Sequence, residues 1–458
     1  MTNLASLLMD HPFADDEDLL HTIDRTMTAG AARAAARVLA EQLDIVPGDA
    51  VAVQLANGPE LVAAMVGVWL AGGVYVPVNP RLPAAEVAIV LESTSPSAVV
   101  THEGVARREG MTYERGIACV LWTSGTTGRP KPVQHSHAAY LELLDRVLGS
   151  LRDGQAHPGA ARRPSPNLIP VSMGLNAGLY NALFGLRAGA ALVIMDGFDP
   201  EVFAELVRRF EIRSTVLPPA AMAMLTDSAV TDLGPLKYVR SITAPLSPLQ
   251  AERFVRKFST FVLNGYGQAE IGEVIGWTAA DAKAHPDKIG AVGRPHPGVD
   301  IRVNRDGHLL VRAPNTAVGV EERMDAEGFI DTGDLARVDN EGFVWIEGRA
   351  GDVINRGGNK VFPDAVEEVL RLCESVDDVA VVGVADDRLG EVPMAFLVGR
   401  PVPDDDLRSL CREHLVAYKV PVGFRWIDAL PRSEVGKVLR RDLARSANIE
   451  QSTTESGS

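Results

Sequence analysis

Hydrophobic residues in this chain fall into short runs that alternate with amphipathic stretches. Ala31 to Leu43 is alanine-rich with helical spacing and stops near Pro47, Gly48 and Asp49. Ala50 to Leu55 then predicts a strand. A helix from Pro59 to Leu70 is apolar all round, which places it between layers, and Gly72 and Gly73 end it. Val74 to Val78 predicts another strand, Pro83 to Leu91 a helix and Ala98 to Thr101 a strand. The alternation continues with a strand at Ile117 to Trp122, a helix at Ala138 to Leu148, and strands at Asn167 to Pro170, Ala190 to Met195 and Ser214 to Leu217. Helices around Leu179 to Leu186 and Pro200 to Phe210 separate those strands. Tyr238 to Ile242, a helix at Pro248 to Phe258 and Phe261 to Leu263 repeat the unit. Strands alternating with helices predict an α/β fold with a large, mostly parallel sheet system.

Beyond Arg349 the elements shorten. Val353 to Arg356 precedes a glycine pair, and Pro363 opens a helix through Leu370. Strands at Val379 to Val384, Pro393 to Val398 and Phe424 to Ile427 share this region with helices at Asp404 to Leu415 and Val438 to Ala444. The expected division is a multilayer N-terminal domain over 1–350, a small α+β domain over 351–447, and a polar, disordered tail over 448–458.

Composition narrows the class. The 458 residues carry a formal net charge of −15, which disfavours nonspecific binding to nucleic acid or an anionic membrane. The apolar run from Leu61 to Leu70 is too short to span a bilayer. Cys119, Cys373 and Cys411 are scattered, without metal-ligand or disulfide spacing, and no basic-then-apolar leader opens the chain. These features predict a cytoplasmic protein.

Three stretches carry chemistry. An apolar run ends abruptly in Thr123, Ser124, Gly125, Thr126, Thr127 and Gly128, with Lys131 following. Glycines let backbone N–H groups turn inward, hydroxyls add donors and one ammonium adds charge, so the loop suits phosphate. It is not the GxxxxGK[ST] loop, because a proline precedes the lysine and no hydroxyl residue follows it. In FVLNGYGQAE, Tyr266 beside Gly267 offers a stacking face and Glu270 a carboxylate for magnesium on a phosphate. Asp331 to Asp334 (DTGD) and Glu347 to Arg349 (EGR) bring acids near an arginine; a surface ion network is the plainer reading.

The string TSGTTGRPK resembles the phosphate loop of the adenylate-forming superfamily: acyl-CoA synthetases, peptide-synthetase adenylation domains and luciferase-like enzymes. The other motifs follow in that family's order from about Ala50 to Leu443, including Gly72 to Pro80, GAVGRPHPG at Gly290 to Gly298 and YKVP at Tyr418 to Pro421. The resemblance implies ATP, Mg²⁺ and CoA, or a carrier-protein phosphopantetheine, as co-reactants. It assigns Tyr266 to adenine, Asp334 and Arg349 to the ribose, Glu270 to Mg²⁺, and Lys437, in PRSEVGK, to catalysis of adenylate formation. The small domain would rotate about Gly351, where the family usually has Asp or Lys, and Gly357 and Gly358 would line the thiol tunnel. Ala269 stands where the family usually has a threonine, which removes one hydroxyl expected to touch phosphate.

For the acid pocket the resemblance points to Met173, Leu175 and Asn176 and to Ile242, Thr243 and Ala244. An aromatic-His pair common in acyl-CoA synthetases is Ser172 and Met173 here, and two glycines are Ile242 and Thr243, so the pocket should be narrow and the acid small or aromatic. The expected activity is ATP-dependent formation of an acyl-CoA thioester through an acyl-adenylate. Loading of an acyl carrier protein, transfer to an amine or other nucleophile, and a non-catalytic nucleotide-binding role remain open alternatives. A homodimer is the family expectation.

Overall fold

A computed structural model describes residues 3–124, 130–152, 164–314, 316–432 and 438–455. Two large sheets with parallel centres dominate the N-terminal part. In the nine-stranded sheet, Leu192–Ile194, Asn167–Ile169, Ser214–Val216, Tyr238–Ser241 and Phe261–Gln268 run parallel side by side. Gly272–Gly276 and Arg294–Pro295 extend it antiparallel at one edge. The six-stranded sheet has Ala98–Thr101, Ala50–Val53, Val74–Pro77 and Ile117–Ser124 parallel at its centre and Pro130–Ser136 antiparallel at an edge.

The predicted interlayer helix is where the pattern placed it. Pro59–Leu70 is buried on nearly every side, and Trp69 Nε1 donates to the Ala118 carbonyl at 2.7 Å. Helix Ala29–Leu43 crosses it closely at Gly67, where a Cβ would stand 2.8 Å from the Ala36 carbonyl oxygen. One apolar core gathers Leu19, Val62, Trp69, Cys119, Leu144, Leu179 and Leu192 from both sheets. That core fixes the relative position of the strands that end at the site.

A third sheet is wholly antiparallel: Asp300–Val303, His308–Arg312, Ile330–Val338 and Val344–Arg349. It completes the large α/β domain and carries Asp334 and Arg349. The smaller α+β unit follows, a five-stranded sheet around Val376–Asp386 and Gly390–Gly399, covered by helices Pro363–Leu370 and Asp404–His414. Ser247 Oγ donates to Glu368 Oε1 at 2.9 Å, and Lys360 Nζ to the Asp306 carbonyl at 3.3 Å, tying this unit to the large domain.

The last helix runs Arg440–Glu455, well past Ala444. Leu443 and Ala447 bury against the small sheet, and Asn448 Oδ1 accepts from the Ala385 N–H at 3.0 Å, which anchors a turn whose composition alone reads as solvated. Among the described residues no helix is long and apolar enough to cross a membrane.

Candidate active site

The strand Phe261–Gln268 does not end at the glycine-flanked tyrosine. It runs through Tyr266 to Gln268 and turns back as Gly272–Gly276, with Gly267 so close to that partner that a Cβ would meet the Gly272 carbonyl oxygen at 2.2 Å. The small residue holds the hairpin tight and presents Tyr266 to the antiparallel sheet. There Asp334 and Arg349 are register partners on adjacent strands. Arg349 Nε lies 2.7 Å from Asp334 Oδ1, and Tyr266 Oη donates to Asp334 Oδ2 at 2.5 Å. Burial and the Asp334 carboxylate together push the Tyr266 hydroxyl well above the ordinary tyrosine range, so it remains a donor.

Gln268 belongs to the same cluster. Its Nε2 donates to the Thr332 carbonyl at 2.8 Å and to Asp334 Oδ2 at 3.1 Å. The amide is therefore committed to Thr332, Asp334 and Tyr266 and does not replace the hydroxyl missing at Ala269. Asp334 is almost fully buried yet keeps ion-pair and hydrogen-bond partners on both oxygens, as a buried carboxylate must.

Glu270 lies just beyond, at the hairpin turn. Buried His135 donates from Nε2 to the Ala269 carbonyl at 2.8 Å, which joins the turn to strand Pro130–Ser136, the strand that carries Lys131. Burial lowers the His135 pKa, against the opposing pull of that carbonyl and Glu270. The loop after residue 315 is tied to both pieces: Ala317 N–H donates to the Glu270 carbonyl at 2.8 Å and Val318 N–H to the Gln134 carbonyl at 2.9 Å. It brings Arg323 Nη1 within 3.7 Å of Glu270 Oε1, a pairing no motif announced. Thr123 and Ser124 pair with Lys131 and Pro130 across the adjacent strands. Gly125, Thr126, Thr127, Gly128 and Lys437 lie outside the described residues.

No group of three His, Cys, Asp or Glu side chains able to cage a metal occurs among the described residues. Magnesium needs no such cage, since it keeps several waters and binds through one or two carboxylates plus substrate phosphates. A single partly exposed Glu270 fits that mode.

The expected acid-pocket residues divide. Met173 is buried in the main core, and its N–H donates to Asn57 Oδ1 at 2.9 Å. Asn176 opens helix Asn176–Arg187, and its Oδ1 accepts from Tyr140 Oη at 3.3 Å, whereas Leu175 is exposed. Ile242 packs on the core, and Thr243 and Ala244 are exposed. Thr243 has φ +85°, a backbone that favours the glycine it replaces in the family pattern.

Behind Ile242 lies a buried ionic group that the sequence reading missed. Arg240 pairs with Glu273 from the two strands that flank Phe261–Gln268, and His296 Nε2 lies 3.3 Å from the other oxygen of Glu273. Burial favours the neutral form of Glu273, but Arg240 and His296 outweigh it and hold the carboxyl down at about 2. The available signal was the presence of Arg240 and Glu273 inside otherwise apolar strands, YVRS and GEVIG.

Gly351 sits in the 3₁₀ turn Ala350–Asp352 between the two domains, with a backbone open to other residues and no neighbour that a Cβ would meet. Gly357 and Gly358 form the hairpin turn between Ile354–Arg356 and Asn359–Val361, with φ +56° and +86°. Gly357 N–H donates to the Leu389 carbonyl at 2.7 Å, a contact inside the small domain.

Comparison with known proteins fits this arrangement. Residues 26–115 and 111–319 match the AMP-binding enzyme family, and 365–437 match the AMP-binding enzyme C-terminal domain. A 3-[(3aS,4S,7aS)-7a-methyl-1,5-dioxo-octahydro-1H-inden-4-yl]propanoyl:CoA ligase of Rhodococcus jostii is 29% identical over 87% of this chain and 89% of its own length. A 2-succinylbenzoate-CoA ligase of Bacillus subtilis is 28% identical over 92% of this chain and 93% of its own. The solved o-succinylbenzoate CoA synthetase of Bacillus subtilis with its acyl-adenylate intermediate superposes with a TM-score of 0.83 at 25% identity, covering 97% of this chain and 98% of that one. Its complex with ATP and magnesium ion gives 0.82 at 26% identity, covering 96% and 99%.

Proposed function

Because the chain belongs to the AMP-binding enzyme family, we propose that it is an ATP-dependent carboxylic acid:CoA ligase. The observation that carries this reading is the cluster of Tyr266, Asp334 and Arg349 beside Glu270, assembled from three separate elements. Relatives matched over nearly their whole length are CoA ligases, which favours CoA as acceptor.

In the first half-reaction the acid's carboxylate oxygen attacks the α-phosphorus of ATP. The new O–P bond forms as the bond to the bridging oxygen breaks, giving acyl-adenylate and pyrophosphate. In the second, a thiolate attacks the acyl carbon and AMP leaves with the C–O bonding pair. Tyr266 would stack on adenine. Asp334, held by Arg349 and Tyr266, would accept from the ribose hydroxyls with its remaining lone pairs. Backbone N–H groups from Gly125 to Gly128, with Lys131, would hold the β- and γ-phosphates. Glu270 would hold Mg²⁺, which supplies charge neutralisation on the phosphates. Lys437 would stabilise the charge developing at the α-phosphate, an effect worth roughly 10²- to 10³-fold for a single well-placed donor.

The small domain would alternate between presenting Lys437 and presenting the Gly357–Gly358 turn, with Gly351 between them. Side chains at Ile242 and Thr243, where the family pattern has glycines, would narrow the pocket and favour a small or aromatic acid. Three free cysteines fit a reducing cytoplasm.

The test is acid-dependent pyrophosphate release over a panel of carboxylic acids, with mass detection of the thioester formed from CoA or a holo-carrier protein. The expected result is turnover with CoA and loss of adenylation in Lys437→Ala. Absence of turnover with every acid, or full adenylation by the variant, overturns the assignment.

A further inference from the structure

Helix His137–Arg152 packs against both helix Asn176–Arg187 and the turn at Gly272, where a Cβ would collide with Leu143. It carries Arg146, whose side chain is only 2% exposed. Its ion pair with Glu142, at 3.4 Å, lacks hydrogen-bond geometry, and Nε, Nη1 and Nη2 are all buried without a hydrogen-bond partner. A guanidinium taken from water in this way is costly unless an acceptor reaches it. Glu142 balances the Arg146 charge without accepting any of its N–H groups, whereas Arg240 donates directly to Glu273.

Tyr180 stands beside Arg146 on the neighbouring helix. Its Oη is buried with the Arg240 guanidinium beside it as a donor and no acceptor for its own proton, and Arg146 and Glu273 are its other charged neighbours. Position binds this group to the acid pocket. Tyr180 is one turn after Asn176, about 6 Å along the helix axis. Glu273 Oε1 and Ile242 Cγ2 both lie close to Gly265, at 3.1 and 3.2 Å from where its Cβ would be, directly before Tyr266. The unsatisfied donors are therefore carried by Asn176's own helix and the helix packed on it, with Glu273 linking them to Ile242 and Gly265.

We propose that the acid substrate is a small or aromatic dicarboxylic acid whose second carboxylate accepts from the Arg146 guanidinium and Tyr180 Oη, about one helical turn from Asn176. The inference rests on the acid-activating reading above and names its substrate class. Two buried donors, one of them cationic, suit a carboxylate. A methyl group in the same place would leave both unpaired, and a site built to hydrogen-bond a group rejects the analogue lacking it by far more than an apolar pocket rejects a missing methylene.

The experiment measures pyrophosphate release with matched pairs: succinate and butyrate, glutarate and valerate, terephthalate and 4-methylbenzoate. At least one dicarboxylic member should exceed its partner in kcat/KM by roughly 10-fold or more, the ratio expected for leaving a buried donor unpaired. Tyr180→Phe and Arg146→Met should each lower that ratio by raising KM for the dicarboxylic acid, with KM for ATP as the control that a merely structural defect would also move. Tyr180→Phe removes one oxygen and keeps the ring, so it serves if Arg146→Met fails to fold. Turnover of monocarboxylic acids equal to or above their partners overturns this inference and leaves the ligase reading standing, as does a ratio unchanged in Tyr180→Phe. No turnover with any acid overturns both.

Discussion

Tyr266 Oη and Gln268 Nε2 converge on one oxygen of Asp334, while Arg349 takes the other. The carboxylate is thereby oriented before any ligand arrives, which suits the ribose role proposed for it, since the energy of ordering is then not charged to the nucleotide.

Replacing Tyr266 with Phe keeps the ring and removes the hydroxyl. Asp334 is buried, so the lost donor should cost about 1 to 3 kcal/mol of stability, with Gln268 limiting the damage. Urea unfolding of the ligand-free protein gives the first number, and KM for ATP, expected to rise, gives the second. If neither moves, the hydroxyl does not hold Asp334.

The motifs that pointed to this cluster are contiguous in the chain. Tyr266, Asp334 and Arg349 each sit in a short string whose chemistry is local, and the buried helix Pro59–Leu70 declares itself by apolar residues on every face. What escaped reading is pairing across distance. Arg323 reaches Glu270 only because the intervening sheet folds its loop back, and Arg240 meets Glu273 only after a hairpin sets their register. The commitment of Gln268 to the Thr332 carbonyl is of the same kind. The continuation of the last helix past Ala444 escaped because polar residues after Ala447 hide the two apolar contacts and the Asn448 bond that anchor it.

Acid should loosen the N-terminal segment. His137 Nδ1 accepts the Leu4 N–H at 3.2 Å, and burial lowers its pKa to about 4. Burial, aided by Arg33 and opposed by the Ala190 backbone, brings His11 to about 4 as well. Both histidines stay neutral in the fold but protonate near pH 6.5 when unfolded, so the unfolded chain binds more protons between those values. Their contribution is complete above about pH 6.5 and is lost as pH falls towards 4. The depressed Glu273 loses its contribution only below that window, from its unfolded pKa near 4.5 down to about 2. Urea midpoints at pH 7.5, 6.0 and 5.0 should fall in that order, with a shallower slope in His137→Asn. An identical slope in the variant removes His137 from the account.

Gly351 offers a separate test of the proposed domain rotation. Its backbone does not require glycine and its Cβ position is empty, so Gly351→Ala should fold without obstruction. Restricting the unfolded chain should stabilise the protein by roughly 0.4 to 1 kcal/mol. Restriction of the turn should also slow exchange between the two poses, seen as a change in thioester formation relative to pyrophosphate release. An unchanged ratio would mean that the pivot lies elsewhere.

Thr243 holds φ +85° with a β-branched side chain, a conformation that costs on the order of 1 to 3 kcal/mol. Glycine there would remove the strain and add back about 0.5 to 1 kcal/mol of chain entropy. Thr243→Gly should therefore raise the urea midpoint modestly, by the equivalent of about 1 kcal/mol. The same change removes the exposed side chain beside Ile242 and, where the acid enters as proposed, should lower KM for bulkier acids while leaving KM for ATP in place. A stabilised variant with an unaltered acid preference would separate the strain from the pocket and move the selecting surface inward, to Ile242 and the residues behind it.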